Sequence, residues 1–296
     1  MIAVDWGTSS LRAYRLDVAG QVLAQRRDAR GILACDGRFA EVLAELVGDW
    51  EGDIVLCGMI GSRNGWHELP YLPCPADAAA LAAGMQAHVD AQHLPGRTLW
   101  FVPGLDCNAD AGVPDVMRGE ETQLVGLAGV LGSGRHLVCL PGTHSKWAWL
   151  DAGRIGEFAT VMTGELYAVL RQHSLLGRLM SDDGHAFDAN AFAQGIERSG
   201  EAGGLTHQLF GARTLALFDR LPGEAIGSYL SGLLIGHEIR HRQPTPVQVH
   251  LVGSAALTQR YAHALAHLGI GAEQHGEDLA AAGLHALARA RGLALG

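Results

Sequence analysis

A strand, a Gly-Thr turn and a second strand occur twice in this chain, and that repetition constrains the fold more than any single motif. The first copy is Ile2-Ala-Val-Asp-Trp-Gly-Thr-Ser-Ser-Leu-Arg-Ala-Tyr-Arg-Leu-Asp17, with the turn at Gly7–Ser10. The second is His136-Leu-Val-Cys-Leu-Pro-Gly-Thr-His-Ser-Lys-Trp-Ala-Trp-Leu-Asp151. Gly7-Thr8-Ser9-Ser10 lies over Gly142-Thr143-His144-Ser145, and a third strand follows each copy, at Gln21–Gln25 and Arg154–Thr160. Small residues let backbone amides approach a phosphate closely, and the hydroxyls of Thr8, Ser9, Thr143 and Ser145 line the same turns. The expectation is a clamp: Gly7, Thr8 and Ser9 on one face of a polyphosphate, Gly142, Thr143 and Ser145 on the other, in a cleft between two domains. Taken alone, either turn also reads as a plain hairpin.

The two copies differ in charge. Asp5 ends the first strand, where a carboxylate can hold Mg²⁺ or its water beside a phosphate; Leu140 stands at the matching place in the second copy. The second turn instead carries Lys146, the chain's one lysine beside 21 arginines, placed to reach a phosphate or a substrate carboxylate unless it is an exposed strand lysine.

Between the copies, apolar residues at i, i+3 and i+4 predict a helix over Asp36–Trp50, alanine content predicts another over Ala76–Val89, and a helix is expected over Glu120–Leu131. Short strands are expected at Asp53–Cys57 and Thr98–Val102. Two long loops, Gly58–Pro75 and Pro103–Gly119, are too rich in Trp, Tyr and Arg to be mere linkers and read as ligand-binding loops. The second half is helical at Gly164–Leu176, Asn190–Arg198, Gly203–Phe218 and Glu224–His241. Strand Val247–Val252 then enters helix Ala255–Leu268 through Gly253-Ser254, and Glu277–Arg291 is a last helix free to pack on either half. Domains are expected at 1–131 and 132–296, with the boundary near Gly129–Gly134.

With 296 residues, 48% hydrophobic and 18% charged, the chain has the make-up of a globular α/β protein. A formal net charge of -9 with no basic block argues against nucleic acid or an acidic membrane as partner. Five cysteines without a C-x-x-C pair are expected to be reduced and to hold no metal cluster. No 18-residue apolar run and no basic leader is present, so a cytoplasmic protein is expected. Association into a homo-oligomer is left open.

Duplicated halves, D-x-G-T in the first, a G-T turn in the second and a late strand–Gly–Ser–helix resemble the actin/hexokinase/Hsp70-type ATPase fold, with ribonuclease-H-like domains. Four motifs go further: D-W-G-T-S-S-L-R-A from Asp5, G-M-I-G-S-R-N-G-W-x-E-x-P-Y from Gly58, D-V-M-R-G-E-E-T-Q from Asp115 and L-P-G-T-H-S-K-W from Leu140. Together, in order and across nearly the whole chain, they resemble the 2-dehydro-3-deoxygalactonokinase family. The resemblance implies MgATP-dependent phosphorylation of 2-dehydro-3-deoxy-D-galactonate at O6, in galactose and galactonate breakdown, with the sugar acid and ATP as partners.

Phosphoryl transfer needs in-line positioning, charge neutralisation and a group that takes the hydroxyl proton. Related glycerol-kinase-like enzymes keep a catalytic aspartate where Glu120 and Glu121 open a helix here, so these two are the candidate bases, Glu120 first, with Asp106 and Asp115 in reserve. The unpaired amides of that helix start are expected to stabilise both as anions, as they would in any acidic first turn. A sugar-acid carboxylate calls for an arginine fork, from Arg63, Arg118 or Arg12. Ser62, Asn64 and Trp66 are candidates for the sugar chain, and Gly253 and Ser254 for the floor under adenosine.

One motif competes. His237-Glu-Ile-Arg-His241 matches H-E-x-x-H of zinc metalloproteases, with Glu238 as base. It lacks a third ligand: no G-x-x-H follows, Pro244 is expected to end the helix, and His250 lies inside an apolar strand.

Overall fold

Alternation decides the first strand. In Ile2–Trp6 (β1), Ile2, Val4 and Trp6 enter one apolar core with residues of the helix Phe39–Val47 (α1), while Ala3 and Asp5 face the other side of the sheet. Leu11–Leu16 (β2) and Val22–Asp28 (β3) complete an antiparallel meander. The chain continues through Ile54–Cys57 (β4), Leu72–Pro73 (β5), Ala78–Gly84 (α2), Gln86–His88 (β6), Leu99–Phe101 (β7), Leu105–Asp110 (β8), Val113–Met117 (β9) and Glu120–Leu131 (α3). Arg135–Leu140 (β10), Ser145–Asp151 (β11) and Arg154–Val161 (β12) repeat the opening. Then come Thr163–His173 (α4), Ala189–Ser199 (α5), Gly204–Leu217 (α6), Ile226–Arg242 (α7), Val249–Val252 (β13), Ala255–His267 (α8), Ala272–His275 (β14) and Leu279–Arg291 (α9). This computed structural model describes residues 1–110, 112–180, 187–242 and 247–294; Pro244 lies outside them.

The two large sheets share one strand order. The first runs β3-β2-β1-β4-β7-β6 and the second β12-β11-β10-β13-β14. In the first, β1, β4 and β7 are parallel; in the second, β10, β13 and β14 are. The expected duplication is thus present in topology as well as in motif.

Three expectations are corrected. The helix expected over 76–89 stops at Gly84, and Gln86–His88 pairs antiparallel with β7 instead. The loop expected over 103–119 is a hairpin, β8 with β9, joined in parallel by β5. Ala272–His275 forms an edge strand beside β13 that periodicity did not signal.

Two compact units emerge. One comprises Met1–His136, Ala148–Ala159 and Glu277–Gly296; the other comprises Leu137–Trp147 and Thr160–Gly276. Domains were expected at 1–131 and 132–296 with the last helix free to pack on either half; contacts gather Glu277–Gly296, and also Ala148–Ala159, with the first unit. Within that unit α9 packs on α3, α2 and β1, covering the sheet face that carries Asp5.

Candidate active site

At the end of β1, Asp5 sits between Arg12 on β2 and Cys57 on β4, its register partners on either side. The Cys57 thiol donates to Asp5 Oδ1 at 3.9 Å, and Arg12 Nη1 stands 3.8 Å from Oδ2. Arg12 is held more closely by Glu277, at 3.0 Å. Burial, with Glu120 and Glu277 as like charges, outweighs Arg12 and pushes the Asp5 carboxyl up to about 6. Asp5 nonetheless keeps 18% of its side-chain surface exposed.

Glycines bring α3 to this point. Gly58 follows β4 at φ +92°, and a Cβ there would lie 2.6 Å from the Trp6 carbonyl. At Gly119, φ is +112° and a Cβ would meet Gly58 Cα at 3.2 Å. Both positions favour glycine by conformation as well as by space, and they set the α3 N-terminus against the strand ends. The two glutamates then diverge. Glu120 is partly exposed and accepts the Arg118 N–H at 3.1 Å. Glu121 is fully buried, accepts the Gly119 N–H at 2.7 Å, and is pushed up to about 8 by burial with Glu120 beside it. The expectation that both are held as anions is therefore corrected for Glu121: desolvation exceeds the help of the helix amides. Asp106 and Asp115 sit on β8 and β9 of the small sheet.

Arg118 joins the two aromatic-rich segments. Its Nη2 donates to the Leu69 carbonyl at 2.8 Å and its guanidinium stacks 4.4 Å above the Tyr71 ring. Nε and Nη1 are buried with no hydrogen-bond partner among the described residues. Two N–H groups of a buried guanidinium, pointing in different directions, are thus left open, which is unusual for so polar a group. Ser62 is buried and caps the preceding turn through the Met59 carbonyl at 2.6 Å; Arg63 and Asn64 are exposed. Trp66, partly buried, packs its ring against Phe39 and Phe101.

Each Gly-Thr turn is backed by a distant glycine. A Cβ on Gly31 would lie 2.3 Å from the Thr8 carbonyl, and one on Gly164 would lie 2.3 Å from the Gly142 carbonyl. On their open sides the turns are clear: the nearest protein atom to a Cβ would be 3.6 Å away at Gly7 and 4.0 Å at Gly142. Thr8, Ser9 and Thr143 are exposed. Ser145 and Lys146 are not. The Ser145 hydroxyl lies 2.9 Å from that of Tyr261, which donates to Glu238 at 2.7 Å, and Lys146 Nζ donates to Thr160 Oγ1 at 2.7 Å. Both therefore brace the second turn from inside, and the exposed-lysine reading of Lys146 fails. Gly253, at φ +152°, and Ser254 form the junction of β13 and α8.

The same network disposes of the protease reading. Glu238 is buried and accepts from Trp147 Nε1 and the Tyr261 hydroxyl, both at 2.7 Å, so it is unavailable as a base, and His237 pairs with Gln208. That motif is structural.

Among solved structures, the activator of 2-hydroxyisocaproyl-CoA dehydratase from Clostridium difficile, with bound ADPNP, is 13% identical with a TM-score of 0.53, covering 99% of this chain and 96% of that one. Likeness at that level concerns the fold alone, and with the duplicated strand order it defines the class: an ATPase fold of the actin/hexokinase type. Closer relatives narrow it. The family model for 2-keto-3-deoxy-galactonokinase matches residues 5–287. The 2-dehydro-3-deoxygalactonokinase of Escherichia coli (strain K12) is 36% identical over 297 residues, spanning 98% of this chain and 97% of the relative. A Sinorhizobium meliloti crystal structure described as a putative 2-dehydro-3-deoxygalactonokinase superposes with a TM-score of 0.89 at 38% identity, covering 98% of both chains. The chain belongs to the 2-keto-3-deoxy-galactonokinase family.

Proposed function

We propose that this chain transfers a phosphoryl group from ATP to the 6-hydroxyl of 2-dehydro-3-deoxy-D-galactonate, in the cytoplasm and as a step of galactonate breakdown. Family membership supports the reaction. The observation that carries the site is the gathering of Arg12, Glu120 and Glu277 about the Asp5 carboxyl at the end of β1.

That donor set has surplus negative charge and hard oxygens, which suits Mg²⁺. It offers fewer than three protein ligands at one point, as expected of an ion that keeps its waters and shares substrate phosphates. Asp5 would hold it, and the ion would supply charge neutralisation on the phosphates. Glu120, the more open glutamate, is the group placed to take the hydroxyl proton as the alcohol attacks. Glu277 orients Arg12, and the sealed Glu121 shapes the helix start. Arg118, with N–H groups still open, is the arginine for the substrate carboxylate, and the exposed Arg63 is left at the surface. The amides of Gly7–Ser9 cradle phosphate in the first unit; in the second, those of Gly142 and Thr143 do so, with Gly253 and Ser254 under the adenosine.

An ATP-coupled assay across 2-dehydro-3-deoxy sugar acids, glycerol and pentuloses tests this reading. Turnover is expected with the galactonate derivative, abolished by EDTA and restored by Mg²⁺. Preference for glycerol or a pentulose would sink the substrate assignment and spare the kinase.

A further inference from the structure

In the second unit, the parallel register of β13 and β14 sets His250 opposite Glu273, and His275 follows two residues on, on the same face. His250 Nδ1 lies 3.1 Å from His275 Nε2 and 3.5 Å from a Glu273 oxygen; the other Glu273 oxygen is 3.9 Å from His275 Nε2. A hydrogen bond between two imidazoles accounts for the first distance but not for a third donor converging on both nitrogens. Ligands bonded at ~2.0–2.1 Å in a tetrahedron stand about 3.3 Å apart, the spacing this triangle approaches. Among the described residues it is the one cluster of three such donors within 4.8 Å of one another.

We propose that His250, Glu273 and His275 form a binding site for a first-row transition-metal dication, with zinc the natural occupant. Two imidazoles and one carboxylate suit zinc, while Mg²⁺ prefers oxygen alone. The imidazole side chains of His250 and His275 are only 8% and 12% exposed, and Glu273 closes the site from the solvent side at 52%. Gln248 donates to Glu273 at 3.2 Å and aims its carboxylate. The bound ion crosslinks the edge strand β14 to β13, so its effect falls on stability. The proposal does not depend on the reaction assigned above.

Purified full-length protein, stripped with EDTA and dialysed, is titrated with Zn²⁺ by calorimetry and with Co²⁺ by visible absorption. One equivalent of zinc per chain is expected at micromolar affinity or tighter, with a tetrahedral cobalt band and a raised melting temperature. Glu273→Gln, at a half-exposed position that leaves folding intact, is expected to weaken binding at least tenfold, and His275→Gln to abolish the cobalt band. His237→Gln is expected to bind as wild type. No stoichiometric zinc, unchanged binding in Glu273→Gln, or loss of the site in His237→Gln would each overturn the proposal.

Discussion

At Glu120, exchange for Gln keeps the side-chain shape and removes the group that takes a proton. A fall in kcat of ~10²–10⁴ is expected, with KM for ATP little changed; unimpaired turnover would take Glu120 out of the reaction. At Glu121 the same exchange acts on stability. Its carboxyl moves from an ordinary 4.5 to about 8 in the folded chain, so as pH rises the unfolded chain gives up this proton first. The folded state is therefore favoured most below 4.5 and loses that advantage progressively up to about 8. Glu121→Gln should flatten this slope and gain on the order of a few kcal/mol at pH 8, read as a higher melting temperature than wild type there but not at pH 4. Arg118→Met should raise KM for the sugar acid ~10–100-fold while leaving KM for ATP alone, since a charge-assisted pair contributes about 1.5–3 kcal/mol. The acidic pair at a helix start was legible in the sequence. Which member is sealed was not, because the packing of Gly58 and Gly119 decides it. The inward turn of Ser145 is likewise set by Tyr261, far along the chain.

Helices α3 and α9 cross with almost no space between backbones. A Cβ at Gly283 would stand 1.8 Å from the Thr122 carbonyl, and one at Gly126 would stand 2.2 Å from the Leu279 carbonyl. Gly283→Ala should therefore force the helices apart, at about 1–3 kcal/mol or more. A drop of roughly 3–10 °C in melting temperature would register it. Because Glu120 and Glu121 open α3, turnover at permissive temperature should fall as well. Gly129→Ala on the same helix meets nothing within 4 Å and should be neutral or slightly stabilising, which separates crossing from helix propensity. Where the period is clear it was readable: Phe39, Val42, Leu43 and Val47 of α1 are buried as their spacing predicts. The failures are short and polar. Gln86–His88 continues an alanine-rich helical run, yet pairing with β7 overrides that local preference. In and beside β8 and β9, Gly104, Pro114 and several aspartates read as loop, and the ladder between the two strands is a tertiary gain that no local pattern announces.

The first unit is assembled from three separated stretches of chain, and its last stretch supplies a face of the core. Ala280, Ala281, Leu284, Leu287 and Ala288 of α9 are all buried at 1% exposure or less. Glu277, just ahead of α9, holds Arg12 beside Asp5. Two fully buried leucines alone contribute ~3–6 kcal/mol, and the alanines and the uncovered faces of α3 and β1 add to that. Stability for a protein is about 5–15 kcal/mol in total, so the first unit has little left without this helix. A chain ending at Gly276 should accordingly lose the cooperative unfolding of the first unit, show reduced helical signal beyond the missing residues, and have no kinase turnover. The second unit keeps all its own segments in such a chain, so a residual transition, with a melting temperature that still responds to zinc, should survive. A single cooperative melt at the wild-type temperature would mean that α9 is an accessory to the first unit and not part of its core.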